Sequence, residues 1–256
     1  MTVSGYYFDI GKYKCTIFSD GTLGNPESED EEIFGLNCLL IDTGDQKVLI
    51  DTGGGDGFQA TAGLLVRNME SEGINPGDID IIIFTHGHID HAAGSFDSAG
   101  KPVFPNARFI TSKREWEHWL SPPGNNELHN MFFESARKNL LPIADQFILA
   151  DDNLEVLPGI KLIPAPGHTP GNNMVEISSA GESVLCIGDI IHSRKEFINP
   201  EYLVMFDVNP EQAVSTRQRI LSRIVDSEQL VFACHFDFPG LGYITTRDGN
   251  FNWQPI

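Results

Sequence analysis

Three of the eight histidines fall within six residues, in the string His86-Gly87-His88-Ile89-Asp90-His91. That density of imidazole and carboxylate is metal-binding chemistry, because a metal site needs neutral imidazoles and carboxylates converging on a point. On an extended or tightly turned segment His86 and His88 point the same way, since side-chain direction has a period of two. Asp90 and His91 can then turn toward a second position nearby. Gly87 lets the backbone bend with no side chain in the way. Three more residues of these types follow: His168 in Pro166-Gly167-His168-Thr169-Pro170-Gly171, Asp189 in Gly188-Asp189, and His235. A lone histidine is more often a surface or core residue than a ligand, so His118 and His129 stay unassigned. That expectation does not fit five histidines and two aspartates placed after successive strands.

Those strands are legible as short apolar runs. Residues 79–84 form a continuous apolar run directly before His86, as a strand buried on both faces would. Residues 160–163, 184–187 and 230–234 read as strands before His168, Asp189 and His235. Residues 13–18, 36–41, 47–50, 107–110 and 174–177 read as further strands, with Thr43-Gly44-Asp45 as a hairpin turn. A helix is predicted over 59–71, with Leu64, Leu65 and Met69 on one side and Gly73 as its stop. Ser112 with Glu115 predicts a capping box opening a short helix through Trp116 and Trp119. Residues 121–130 read as a loop by their Pro, Gly and Asn content, and 131–140 as helical. Asn209-Pro210 with Gln212 opens a helix that carries Val214, Leu221, Ile224 and Val225 toward the core. The acidic run 27–32 reads as a solvated loop. The order predicts an α/β sandwich, two sheets inside and helices outside. No linker divides it, so residues 1–256 are expected to form one domain.

Composition narrows the partners. The 256 residues carry 17 Lys+Arg against 36 Asp+Glu, a formal net charge of −19. A nucleic-acid partner needs a clustered basic surface, and an anionic membrane attracts basic segments, so neither is expected. Cys15, Cys38, Cys186 and Cys234 are far apart and read as buried thiols in a reducing compartment. Residues 1–20 include Asp9, Lys12, Lys14 and Asp20 and no apolar run long enough for a signal peptide. No stretch reaches the roughly 18 apolar residues of a membrane span. The expectation is an acidic, soluble, cytoplasmic protein.

The string His86-x-His88-x-Asp90-His91, followed in order by His168, Asp189 and His235, resembles the metallo-β-lactamase superfamily. The resemblance implies a four-layer αβ/βα sandwich, two mixed β-sheets flanked by helices. It implies that His86, His88 and His168 bind one metal, that Asp90, His91 and His235 bind a second, and that Asp189 bridges both. The superfamily usually holds zinc, with iron, manganese and cobalt also found. Iron-type flavodiiron members carry Glu where this chain has His88, which favours two zinc ions. Gly5-Tyr6-Tyr7, Ser19-Asp20-Gly21-Thr22, Leu49-Ile50-Asp51-Thr52-Gly53 and Phe104-Pro105-Asn106-Ala107 extend the resemblance, as do Leu157-Pro158-Gly159-Ile160 and Phe238-Pro239-Gly240-Leu241-Gly242. Together they are similar to the methyl parathion hydrolase branch, which neighbours the N-acyl homoserine lactonases. That branch implies hydrolysis of lactones, aryl esters and phosphotriesters. Its members often dimerise, and the hydrophobic N-terminal stretch is available for a homodimer.

Two metals about 3.5–4 Å apart can share one hydroxide, and zinc lowers the pKa of bound water to about 7. Asp90 and Asp189 supply negative charge beside that nucleophile. His192, three residues after Asp189, stands where many homoserine lactonases carry a tyrosine that assists the substrate. Its imidazole could donate a proton to the leaving alkoxide, so Asp90 and His192 are the candidate catalytic groups. Trp116, Trp119, Phe132 and Phe133 could line an apolar substrate pocket or simply pack the core, Trp119 being favoured for the pocket by the resemblance. Asp51 is expected to steady the metal loop by a hydrogen bond. Cys234 is expected in the core, since adjacent strand residues point to opposite faces. Gly53-Gly54-Gly55-Asp56-Gly57 lacks the Lys-Ser/Thr ending of a P-loop and reads as a tight turn, so no cofactor beyond metal is expected. Competing readings share the ligand set. A glyoxalase II-type thioesterase adds a basic C-terminal helical region, whereas this sequence runs 21 residues past His235. A ribonuclease Z-type nuclease conflicts with the charge, and a true β-lactamase needs export. A non-catalytic metal-binding or ligand-sensing member would have no need of all seven positions.

Overall fold

The computed structural model describes residues 4–24, 32–122 and 126–256. Its first sheet runs in chain order through β1 (Gly5–Ile10), β2 (Tyr13–Leu23), β3 (Phe34–Asp42), β4 (Lys47–Ile50), β5 (Ile81–Ile83), β6 (Arg108–Ser112) and β7 (Phe147–Ala150). Between these strands lie α1 (Leu65–Ser71), α2 (Ile89–Ala92), α3 (Lys113–Leu120) and α4 (Glu127–Leu140). The second sheet holds β8 (Glu155–Leu157), β9 (Ile160–Pro164), β10 (Asn173–Ser179), β11 (Glu182–Cys186), β12 (Leu230–Phe232), β13 (Leu241–Arg247) and β14 (Asn250–Pro255), also in order. Its helices are α5 (Arg194–Ile198) and α6 (Pro210–Ile224). Both sheets are mixed: β4, β5, β6 and β7 pair in parallel, as do β11 and β12, and the remaining neighbours are antiparallel.

The period of two in each strand builds the layers. Leu39, Ile41, Val48, Ile50, Ile81 and Ile83 face Leu162, Val175, Ile177, Val184 and Phe232 across the space between the sheets. Their neighbours Leu40, Leu49, Ile82 and Phe109 turn outward and meet Leu65 and Met69 of α1, Trp119 of α3 and Phe133 of α4. On the far side Met174, Leu185 and Val231 meet Phe197 of α5 and Ile220, Leu221 and Ile224 of α6. These strands are apolar on both faces because both faces are covered. The result is the four-layer arrangement that the resemblance implies.

Several expectations shift. The helix expected over 59–71 begins only at Leu65. Residues 59–64 instead tie a loop to β2: the Thr22 amide donates to Thr61 O, Leu64 N donates to Asp20 O, and Gly63 takes a positive φ of 83°. Tertiary pairing outbids helix periodicity there. The loop read over 121–130 ends early, because Asn126 caps α4 by accepting from Leu128 N and His129 N. Strands β1, β7, β8, β13 and β14 add to the sequence reading. Of the acidic run 27–32, only Glu32 lies within the described residues, and it pairs with Lys195 at 2.7 Å. Among the described residues no helix is long and apolar enough to cross a membrane.

Candidate metal centre

The parallel strands deliver the site. β4 ends at Ile50, immediately before Asp51, β5 leads through Phe84 and Thr85 to His86, and β12 runs into Cys234 and His235. The two sheets are stitched together at this end: Asn173 N donates to Thr85 O at 2.9 Å, and Asn37 N to Cys234 O at 3.1 Å. Asp51 takes a positive φ of 59°, unusual for a residue with a side chain. That turn lets its carboxylate accept from Thr85 N and Thr85 Oγ1, each at 2.8 Å, while Oδ2 sits 2.8 Å from His91 Nδ1. The hydrogen bond expected of Asp51 is therefore made to an imidazole of the cluster.

The seven residues singled out from the sequence converge. His86, His88, His168 and Asp189 present donor atoms within 4.8 Å of one another, and so do His91, Asp189, Cys234 and His235. Asp189 belongs to both groups. Its Oδ2 is 3.3 Å from His168 Nε2, 3.1 Å from His235 Nε2 and 3.7 Å from His86 Nε2, and its Oδ1 is 3.2 Å from His91 Nε2. Asp90 Oδ2 closes the second group, 3.5 Å from His91 Nε2 and 3.6 Å from His235 Nε2. His88 faces His168 Nε2 through its Nδ1 at 2.8 Å.

The far nitrogens are held from behind. His168 Nδ1 meets Asp207 Oδ1 at 2.9 Å, His235 Nδ1 meets Gly35 O at 3.0 Å, and His86 Nδ1 meets Thr85 Oγ1 at 3.1 Å. Such partners fix the ring orientation of metal-binding histidines. Burial and the neighbouring imidazoles hold His86 and His88 well below the usual histidine range, the neutral form a metal requires. Burial also opposes charge on His91, yet Asp189, Asp90 and Asp51 outweigh it and push it well above that range. Three carboxylates around one buried imidazole place negative charge that a cation there would offset. The buried Nε2 atoms of His86, His88, His91 and His192 have no hydrogen-bond partner. Orphaned buried nitrogens are costly, and metal ions would satisfy those of His86 and His91, which face Asp189 and the other donors. The residues fit a pair of metal ions.

Glu115 is the residue the sequence reading misplaced. Ser112 Oγ does accept from Glu115 N at 3.1 Å, as a cap should. The Glu115 carboxylate does not return to the helix start. It accepts from Gly87 N at 2.9 Å and Trp119 Nε1 at 2.6 Å, and from Thr169 Oγ1 at 2.6 Å and Gly171 N at 3.1 Å. It thus joins the loop of His86 and His88 to the loop of His168. Burial pushes its carboxyl up despite those four donors. Glu115→Gln must turn an amide NH2 toward donors, and each buried donor left unsatisfied costs about 1–3 kcal/mol, so a loss of about 2–4 kcal/mol in unfolding free energy is expected. Urea unfolding of the metal-free protein measures it.

The aromatic candidates divide. Trp119 is buried, donates its indole N–H to Glu115 and packs its ring 5.6 Å from that of His88. A Cβ on Gly87 would collide with that indole, so the glycine between the two histidines serves a close approach more than a bend. Phe133 is buried beside Trp119, and Trp116 packs on Phe147. Phe132 alone of the four lines the cavity, its ring 4.4 Å from that of His88. One residue is about 100° of helix, enough to turn Phe132 from the core to the cavity. Cys234 lies in the core between the sheets, as expected, with Sγ also 3.6 Å from Asp189 Oδ1. His118 and His129 stand on α3 and α4, outside both donor groups.

The cavity has a volume of about 750 Å³. His88, Asp90, His168, Asp189, His192 and His235 form its polar floor, and Leu23, Phe34, Phe58, Met131, Phe132, Leu203, Met205 and Phe206 its apolar wall. The run Tyr202-Leu203-Val204-Met205-Phe206 escaped the sequence reading; five apolar residues in a row outside any strand or helix were its signal. His192 reaches the floor with Nε2 3.2 Å from Asp189 Oδ2.

A family model described as the metallo-beta-lactamase superfamily matches residues 33–235. The chain belongs to the metallo-β-lactamase superfamily. Over 92% of its length it is 27% identical to an N-acyl homoserine lactonase from Bacillus sp, covering 94% of that protein. Among solved structures it is similar to AidC, a dizinc quorum-quenching lactonase in complex with a product, at 27% identity and a TM-score of 0.91, covering 98% of this chain and 97% of that one. It is also similar to the hydrolase AbOPH of the beta lactamase superfamily, at 28% identity and a TM-score of 0.89, covering 100% of this chain and 98% of that one. Two donor groups sharing one carboxylate make this a dinuclear metal-binding site of the superfamily, and the chain a metallo-hydrolase. Imidazole with carboxylate is a donor set suited to two zinc ions.

Proposed function

We propose that this protein hydrolyses lactones and esters with apolar acyl groups, N-acyl homoserine lactones foremost, with phosphotriesters as secondary substrates. The observation that carries this reading is the shared carboxylate of Asp189, set between two donor groups on the floor of an apolar cavity. In this reading His86, His88 and His168 hold one ion, Asp90, His91 and His235 hold the other, and Asp189 lies between them. Two zinc ions bound there supply a Lewis acid and a hydroxide nucleophile at neutral pH, since zinc-bound water has a pKa near about 7. The apolar wall of Phe34, Phe58, Phe132, Leu203, Met205 and Phe206 binds the acyl chain and excludes water, directing the polar head to the floor. His192 stands over that floor with its Nδ1 steadied by Glu196 Oε1 at 3.2 Å, placed to give a proton to the leaving alkoxide. The similarity to a lactonase over 92% of the chain supports the substrate class.

The net charge of −19 supports a small-molecule partner over a nucleic acid. Four buried free thiols support a reducing, cytoplasmic setting. Tyr7 of β1, its hydroxyl donating to Glu72, leaves its ring face exposed and available to a homodimer contact.

The test compares zinc-loaded protein on an N-acyl homoserine lactone and on methyl parathion. A lactone kcat/KM of about 10⁴–10⁸ M⁻¹s⁻¹ is expected, the range of a true substrate, with a much lower phosphotriester value. The reverse ratio would make the phosphotriester the true substrate. Low values on both would reject the reading.

A further inference from the structure

Behind the cavity floor lies a buried charge network that none of the metal-site residues explains. Arg217 sits on α6 at 1% exposure. A guanidinium so deep in the protein must satisfy five N–H groups from one fixed fork. Its Nε donates to Ile190 O at 3.0 Å, next to Asp189 in the chain. Its Nη1 donates to Pro200 O at 3.0 Å and Tyr202 O at 2.7 Å, at the start of the apolar cavity wall. Its Nη2 lies 3.0 Å from Glu196 Oε1 and 4.0 Å from Asp207 Oδ2. Those two carboxylates stand directly behind the floor: Glu196 holds His192 Nδ1, and Asp207 holds His168 Nδ1 at 2.9 Å. Glu196 Oε2 also accepts from His192 N and Ser193 N, each at 2.8 Å, so its position is over-determined once the guanidinium is in place.

We propose that Arg217 is a positioning residue that sets His168, His192 and the 200–206 cavity wall from a single point. Among the described residues no other side chain approaches both carboxylates and the wall carbonyls. A simple ion pair would need one carboxylate; here one rigid fork donates to the carbonyl beside Asp189 and to two carbonyls of the wall segment, pairs with Glu196, and sets its charge 4.0 Å from Asp207 Oδ2, an oxygen with no hydrogen-bond partner. The consequence is a coupling: whatever loosens the wall also loosens the imidazole of one donor group. The inference rests on the proposed function only for its substrate readout.

The experiment uses full-length Arg217→Lys. Lysine keeps the charge and loses the fork, so it can serve one branch but not all. Zinc affinity is measured by chelator competition, and KM by a series of short- and long-acyl lactones. Loss of a group hydrogen-bonded to a metal-binding histidine weakens metal binding about 10–100-fold; Arg217 acts through Asp207, so a weakening at the low end, about 10-fold, is expected here. KM for long-acyl lactones is expected to rise several-fold more than for short ones, while the protein remains folded by circular dichroism. Unchanged zinc affinity and an unchanged ratio of long- to short-chain KM, even with a lowered Tm, would reduce Arg217 to a structural residue and overturn the proposal. Should Arg217→Lys fail to fold, Asp207→Asn severs only the His168 branch. Because coupling is reciprocal, it must then weaken zinc binding and also raise the ratio of long- to short-chain KM; intact zinc affinity, or an unchanged ratio, overturns the coupling. If the wild-type protein hydrolyses no lactone and Arg217→Lys still weakens zinc, the proposed function fails and the positioning role stands.

Discussion

Asp189→Ala is expected to abolish turnover and to leave less than one zinc per chain. The carboxylate is the one group common to both donor sets, with oxygens 3.1–3.7 Å from four imidazoles of those sets. Removing it leaves His86 and His235 without their nearest carboxylate and strips the metal-facing nitrogens of His91 and His168 of theirs, with Asp51 and Asp207 remaining only behind those two rings. This happens in a site where burial already opposes any charged form of His86 and His88. Those four imidazoles now hold Asp189 well below the usual carboxylate range against its burial, so the attraction it would lose is large. Metal Lewis acidity is worth several kcal/mol of transition-state stabilisation, and at about 1.4 kcal/mol per factor of ten its loss lowers kcat/KM by about 10³-fold or more. Elemental analysis of dialysed protein gives the stoichiometry, and lactone kinetics give the rate. Two zinc ions retained with normal turnover would remove Asp189 from the shared position.

Much of this site was legible because its chemistry is concentrated in residue types. His86, His88, Asp90 and His91 crowd one short string, and His168, Asp189 and His235 each follow an apolar run that could only be a strand. Which residue types can donate to a metal is a local property of the chain. What holds those donors in place is not local. Glu115 reads as the third residue of a capping box and behaves as one through its amide, while its carboxylate joins two loops more than 50 residues apart in the chain. Arg217 stands four and seven residues before Leu221 and Ile224, on the same helix face, and a charged residue there passes unremarked in the sequence; it is as buried as they are because carboxylates and carbonyls from a distant segment meet it there. Periodicity assigns faces by hydrophobicity and has no way to register a buried ion pair. Trp119 and Phe132 show the same limit from the apolar side. Spacing places both on inward helix faces, and only the packing of α3 against Gly87 decides that Trp119 is core and Phe132 is cavity. Strands β1, β13 and β14 carry exposed or polar alternate residues, so their strand character depends on partners the sequence does not name.

The second large effect is expected from His192→Ala, and its value lies in separating proton donation from metal binding. His192 touches Asp189 but belongs to neither donor group; its Nδ1 is held by Glu196 and its Nε2 faces the cavity floor without a hydrogen bond. Removing it therefore leaves the zinc content at the wild-type value, in contrast to Asp189→Ala. A positioned general acid contributes about 10²–10⁴-fold, so kcat on an alkyl lactone is expected to fall by about 10²-fold, with a small change in KM. The decisive control is the leaving group. An alkoxide departs badly unless it is protonated as the bond breaks, whereas an aryl oxide or a thiolate leaves unaided. The variant should thus lose most activity on the lactone and little on an aryl ester or a thiolactone of the same acyl chain. Equal losses on all three would show that His192 shapes the floor without donating a proton, and unchanged kinetics throughout would remove it from the reaction. The lactone-selective loss would identify the imidazole as the donor to the leaving oxygen and explain why its Nδ1 is so firmly anchored: a ring that must deliver a proton along one direction cannot be free to turn.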